Sequence, residues 1–362
     1  MIRLMYTNDT IMIKISPKQQ QILLIFLRND SLSSSQVHKF ISESGEDLSL
    51  VTVKRELAKM ASQGLLTVSG KGRSSAYKIS AVGRIFSNVD ASSYCSGEPD
   101  KRYGLDRFNF ELLPAIPPEI FAQDELALLE KATDEYRRRT SDLPPAIKKK
   151  ELERLIIELS WKSSKIEGNT YTLLDTEKLI MENKEAPGHS KNEAVMILNH
   201  KYAFTFVHEN ANKFRELTQT NLEELHKILV KDLSVGTGLR QKPVGVVGSK
   251  YQPLDNIYQI KEAVDLLAAA IARMETPYAK ALAALCGLGY IQPFEDGNKR
   301  TARLMTNALL MAHGASPLSY RSVDEKEYRE AMLVFYELNS IIPVKKIFID
   351  QYEFAAKHYA VK

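Results

Sequence analysis

Cysteine is scarce in this chain: Cys95 and Cys286 are the only two among 362 residues. They lie far apart, with no Cys/His cluster near either, so neither a disulfide framework nor a zinc site is suggested. Long apolar runs are missing as well. No stretch approaches the length that spans a bilayer, and Met1-Ile-Arg-Leu-Met-Tyr-Thr-Asn-Asp lacks the apolar centre of a secretion signal. Charge of one sign is also in short supply. The 49 Lys and Arg against 45 Asp and Glu leave a formal +4, too little to argue nucleic-acid binding from the whole chain rather than from a local patch. What remains, 44% hydrophobic and 26% charged, is the composition of an ordinary globular protein. Its length exceeds one average domain. The expectation is a two-part protein of the reduced cytoplasm, with no membrane partner.

The richest segment is Ile291-Gln-Pro-Phe-Glu-Asp-Gly-Asn-Lys-Arg-Thr-Ala-Arg303. Helical apolar stretches flank it, Lys280–Tyr290 before and Leu304–Met311 after. Pro293 and Gly297 mark a turn, and Gly297-Asn298 opens the second helix. A helix start presents unpaired N–H groups and a positive dipole end, a site for phosphate. Arg300 and Arg303, at i and i+3 on the first turns, add guanidinium donors, and Asp296 offers a carboxylate to a divalent cation.

This loop resembles the signature of the Fic (filamentation-induced-by-cAMP) family, His-Pro-Phe-x-(Asp/Glu)-Gly-Asn-Gly-Arg-x-x-Arg. The resemblance covers roughly residues 125–360, by the order of its motifs. It implies ATP and Mg2+ as cofactors, with Asp296 the metal ligand. Gly297, Asn298, Lys299, Arg300 and Arg303 would hold the nucleotide phosphates. Two positions depart from the pattern. Lys299 replaces the second glycine, and Gln292 stands where the family has its catalytic histidine. An imidazole titrates near neutrality and can accept a proton, whereas a carboxamide has no accessible protonation step. Losing a general base costs about 10²–10⁴ in rate. Two function classes stay open. One is an enzyme that transfers AMP to a protein hydroxyl, or removes it. The other is a non-catalytic nucleotide-sensing transcriptional regulator.

Ser163-Ser-Lys-Ile-Glu167-Gly168-Asn169 is similar to the inhibitory Ser/Thr-x-x-x-Glu-Gly/Asn motif of Fic proteins. It ends a long helix over about 147–169. In that family the glutamate pairs with the last signature arginine, here Arg303, through Ser163, Glu167 and Gly168. One guanidinium can satisfy one bidentate anion, so an intramolecular carboxylate competes with phosphate. Residues 236–254 carry β-branched residues broken by glycines and read as a short hairpin. They occupy the place of the Fic flap, so Val244, Val246, Val247 and Tyr251 are candidates to dock an unidentified target protein by edge-strand addition. A plain connector between helices is the alternative.

Residues 14–80 read as helix, helix, helix, hairpin: Gln19–Leu27, Gln36–Ser42, Val51–Gln63, then Leu65–Ser69 and Ala76–Ile79 as strands. That order, with Thr52-Val-Lys-Arg-Glu-Leu and the Gly70–Ser75 turn, resembles a winged helix-turn-helix. Between 49 and 80, six Lys/Arg face one Glu. Thr52, Lys54, Arg55, Lys71 and Arg73 are the candidate contacts to duplex DNA; packing against another protein is the alternative. The expected architecture is mainly α. A winged-helix domain (1–85) and an arm or linker (86–124) precede an all-helical Fic fold (125–362) with a β-hairpin flap, a bacterial-looking arrangement compatible with a homodimer.

Overall fold

The computed structural model describes residues 15–45, 48–70 and 72–359. Its N-terminal unit runs α1 (Pro17–Leu27), β1 (Leu32–Ser33), α2 (Ser34–Glu43), α3 (Leu50–Ser62), β2 (Leu66–Ser69) and β3 (Ala76–Ile79). Local chemistry sets the helix starts. Ser16 and Gln19 form a reciprocal capping box, as do Ser33 and Gln36, and Ser49 caps α3 alone. The three strands form one antiparallel sheet in the order β1-β3-β2, with Leu66 opposite Ile79 and Leu32 opposite Tyr77. Strand β1 is the one element of this unit that sequence alone did not suggest. Ile22, Leu23, Phe26, Val37, Val53, Leu57 and Met60 close its apolar core.

An arm follows, with α4 (Ala81–Ile85), α5 (Ala91–Cys95) and α6 (Leu112–Ala115). It is packed throughout: Leu112, Leu113, Ile116, Ile120 and Phe121 are buried in the larger core. The remainder is helical. It comprises α7 (Gln123–Ser141), α8 (Pro145–Ile166), α9 (Leu173–Glu182), α10 (Lys191–Glu209), α11 (Gln219–Leu229), α12 (Ile257–Ala272), α13 (Pro277–Ile291), α14 (Asn298–Ala312), α15 (Glu325–Leu338) and α16 (Ile342–His358). Helices α13 and α14 pack on each other at the centre, every residue of α13 from Ala281 to Ile291 being buried. Apolar residues all round mark such a helix as interior.

The segment expected to form a hairpin, 236–254, contains no strand; one isolated parallel bridge joins Gln252 to Arg107. Its backbone bonds go elsewhere. The Gln252 N–H donates to Asp106 O at 2.8 Å, and the Arg240 N–H to Pro293 O at 3.0 Å. Glycines at 236, 238, 245 and 248 interrupt any ladder.

Buried polar contacts fasten this segment to the arm. Glu337 of α15, fully buried, pairs with Arg102 at 3.0 Å and accepts from Tyr94 (2.7 Å) and Ser249 (2.7 Å). Lys250 donates to Arg102 O at 2.6 Å.

Candidate functional site

The α13–α14 turn is held by its own side chains. Asn298 is clamped reciprocally to Phe294, whose N–H donates to Oδ1 while Nδ2 donates to Phe294 O, both at 2.8 Å. Gly297 sits at φ +78°, and a Cβ there would lie 3.2 Å from Val230 Cγ1, so the turn calls for glycine. No side chain caps α14, which leaves its first N–H groups facing the turn. Beneath it, His226 of α11 stacks on Phe294 with centroids 3.7 Å apart, and its Nε2 lies 2.9 Å from Asp296 O. A carbonyl only accepts, so Nε2 carries the proton. Burial holds the ring neutral by lowering its pKa.

Two arginines line the helix start. Arg300 reaches Asp296 at 3.1 Å, and that carboxylate is 64% exposed. Arg303 is fully buried. Its Nε donates to Ser163 Oγ at 2.9 Å and its Nη2 to Ser163 O at 2.8 Å. The Glu167 carboxylate closes on the same Nη2 at 2.9 Å, and Lys299 Nζ lies 3.6 Å from its other oxygen. Burial alone would raise the Glu167 pKa. Arg303, then Lys299, outweigh it and hold the carboxyl below the ordinary value. Gly168, at φ +96°, ends α8 so that Glu167 turns inward, and Arg329 Nε donates to Ile166 O at 2.9 Å to fix that end. Ser163, Glu167, Lys299 and Arg303 thus lie together.

Gln292 terminates α13 in the left-handed region (φ 51°) and is almost fully buried. Its carboxamide Nε2 donates back to Gly289 O at 2.6 Å, and its backbone carbonyl accepts from Arg240 Nε at 2.6 Å. The flap candidates divide. Val247 is 93% exposed and Val244 half-buried, but Val246 is buried and Tyr251 is core. The Tyr251 hydroxyl donates to Tyr290 O at 2.8 Å and its ring stacks on Tyr290. Neither Val246 nor Tyr251 is available to a target, because the segment folds inward instead of forming an edge.

Of the other candidates, Lys54 and Arg55 are exposed on α3 and Thr52 is half-buried beside Ser49. Arg73 stands in the short turn Gly72–Ser74, and Lys71 lies outside the described residues. His226 was missed. His226 lies 70 residues from Asp296, and its only sequence trace is its place on the apolar face of α11 between Leu222, Leu225 and Leu229.

Residues 216–310 match the sequence model of the Fic/DOC family. The chain carries a Fic/DOC domain. Among curated proteins it is similar to "Protein adenylyltransferase Fic" of Nematostella vectensis, 29% identical over 203 residues, covering 54% of this chain and 48% of that protein. It is 26% identical over 174 residues to "Protein adenylyltransferase fic-1" of Caenorhabditis elegans, covering 47% and 34%. The chain therefore spans about half, or less, of the curated relatives it matches. In fold it resembles the solved Fic-1 (residues 134–508) of C. elegans, with TM-score 0.57, 19% identity, and 65% and 72% of the two chains covered. It also resembles a Fic domain containing signaling protein from Bacteroides thetaiotaomicron, with TM-score 0.54, 22% identity, and 64% and 96% covered. The mainly helical Fic fold is thus shared. Among the described residues no helix is long and apolar enough to cross a membrane.

Proposed function

We propose that the Fic domain binds ATP at the start of α14 and is held in an inhibited state by Glu167, and that it transfers AMP slowly or not at all. The carrying observation is the 2.9 Å pair between Glu167 and the buried Arg303. Arg300 and Arg303 each keep one buried Nη1 with no hydrogen-bond partner among the described residues. Such unused donors suit phosphate oxygens. The exposed Asp296 carboxylate fits Mg2+, which takes one or two protein carboxylates and keeps waters or phosphates for the rest. Among the described residues no cluster of three or more His, Cys, Asp or Glu offers a richer metal site. Bound there, the ion would neutralise phosphate charge.

AMP transfer forms a bond from a target hydroxyl oxygen to the α-phosphorus and breaks the α–β bridge, releasing pyrophosphate. The hydroxyl proton needs an acceptor. Gln292 cannot take it, and its Nε2 is occupied by Gly289 O. Glu167 is engaged by two cations. Binding and sensing are therefore favoured over turnover. The names of the curated relatives, and the retention of Asp296, Asn298, Arg300 and Arg303, support AMP transfer as the second reading. Incubating the chain, Gln292→His and Glu167→Gly with α-labelled ATP and Mg2+ separates the two. Protein label that needs the new histidine supports a nucleotide-binding regulator, and strong label on the unchanged chain supports transfer.

The N-terminal unit supports a winged-helix reading through its element order, its three-stranded sheet and the exposed Lys54, Arg55 and Lys59 on α3. In this proposal it binds duplex DNA, and nucleotide occupancy is its signal.

A further inference from the structure

A cavity of about 160 Å³ opens at the opposite end of α14 from Gly297. Tyr136 and Arg137 of α7, His208 of α10, Ala211, Met311 and Ala315 line it. A protein cavity of about 150 Å³ admits a benzene ring, so one six-membered ring fits. Met311, Ala211, Ala315 and the face of Tyr136 supply apolar walls.

Tyr136, Arg137, His208 and Thr140 bring polar side chains to this space, Thr140 already donating to Arg137 O at 3.1 Å. The Tyr136 side chain is 5% exposed, and among the described residues its hydroxyl has no hydrogen-bond partner. Burial raises its pKa, so it remains a neutral O–H donor. Burial lowers the pKa of the half-buried His208, keeping that imidazole neutral. Arg137 is fixed by donating Nε to Gly314 O at 3.1 Å and Nη2 to His313 O at 3.4 Å. Among the described residues its Nη1 has only Asp134, at 4.0 Å, and the Arg137 side chain is 56% exposed. A cation is thus held at the mouth of an apolar cavity whose wall also carries a neutral hydroxyl donor.

We propose that this cavity binds a single-ring aromatic carboxylate, the ring between Met311, Ala211 and Ala315 and the carboxylate taken by Arg137 and the Tyr136 hydroxyl. The site is separate from the candidate nucleotide loop and stands whether or not that loop binds ATP.

Ligand-observed NMR with the full chain tests it, using benzoate and its neutral analogue benzyl alcohol as probes. Benzoate should bind saturably. Arg137→Gln should weaken benzoate by about tenfold or more, the loss of one charge-assisted contact, while changing benzyl alcohol less than about twofold. Ala211→Phe, at a half-buried position, fills the cavity and should abolish both signals. No saturable benzoate signal at about 10 mM, weak even for so small a ligand, overturns the proposal. Binding that survives Ala211→Phe overturns it as well. Should that variant fail to fold, Arg137→Gln decides alone: equal affinity of benzoate for variant and parent overturns the carboxylate assignment.

Discussion

Replacing Glu167 with glutamine should convert a shielded phosphate site into an open one with little change of shape. Removing one partner of a buried ion pair costs about 3–5 kcal/mol. The effect is smaller here because Ser163 keeps two hydrogen bonds on Arg303 and the Glu167 side chain retains 18% exposure. We take about 2 kcal/mol as the strength of the capture, which corresponds to about 30-fold in any ligand that must displace the carboxylate. Isothermal titration should therefore show ATP·Mg2+ binding about 30-fold tighter to Glu167→Gln than to the parent. AMP, with no terminal phosphate to reach Arg303, should change less than about twofold. The same pair contributes to stability. Because the Glu167 pKa is lowered in the fold, that contribution is present above the unfolded value near 4.3 and fades as pH falls through the folded one. Urea unfolding should find Glu167→Gln about 2 kcal/mol less stable at neutral pH, with the gap closing in acid. ATP affinity unchanged by the substitution would refute capture of Arg303 as the controlling contact.

Gly297→Ala places a side chain at φ +78° and within 3.2 Å of Val230, and should cost about 2 kcal/mol in urea unfolding, with loss of nucleotide binding. Asn298→Ala leaves the N–H and C=O of Phe294 unpaired in the core and should cost about 2–3 kcal/mol by the same measurement. His200 is fully buried; burial, then Arg303 and Arg300, push its pKa well below the ordinary value. The unfolded chain therefore takes up a proton first, and stability should fall by about 1.4 kcal/mol per pH unit below about 6.5. His200→Leu should lessen that loss in urea midpoints compared at about pH 7.5 and about pH 5.5.

Much of the candidate site could be read from the sequence because its parts are local. The turn, the helix start and both arginines fall within 291–303, and Pro293, Gly297 and Asn298 each carry a backbone meaning. The end of α8 was equally legible, since Gly168 stops the helix one residue after Glu167. The segment 236–254 was not. Val244, Val246 and Val247 have strand propensity, but that propensity expresses packing against a partner strand, and none is there. Arg240 instead spends its guanidinium on the carbonyls of Gln292, Lys242 and Leu254, a choice that only tertiary contact reveals. His226 was hidden for a similar reason: stacking on Phe294 joins two elements with no shared periodicity. In the N-terminal unit the helices followed from caps, and β2 and β3 from the turn between them. Strand β1, two residues long, leaves too short a pattern to detect.

Helix α15 has two masters. Val334 and Leu338, both wholly shielded from solvent, belong to the apolar cluster of the N-terminal unit, while Tyr328, Met332 and Phe335 of the same helix belong to the larger core. Cutting the chain after residue 80 would remove Ile22, Leu23, Phe26 and their neighbours from the cluster that Val334 and Leu338 share, leaving Val89 and Tyr94 of the arm as its other buried members beside the Arg102–Glu337 pair. A fragment made that way would tend to self-associate, so it is a poor stand-in for the intact molecule. Point changes on the exposed face of α3 interrogate the front unit without disturbing its neighbour.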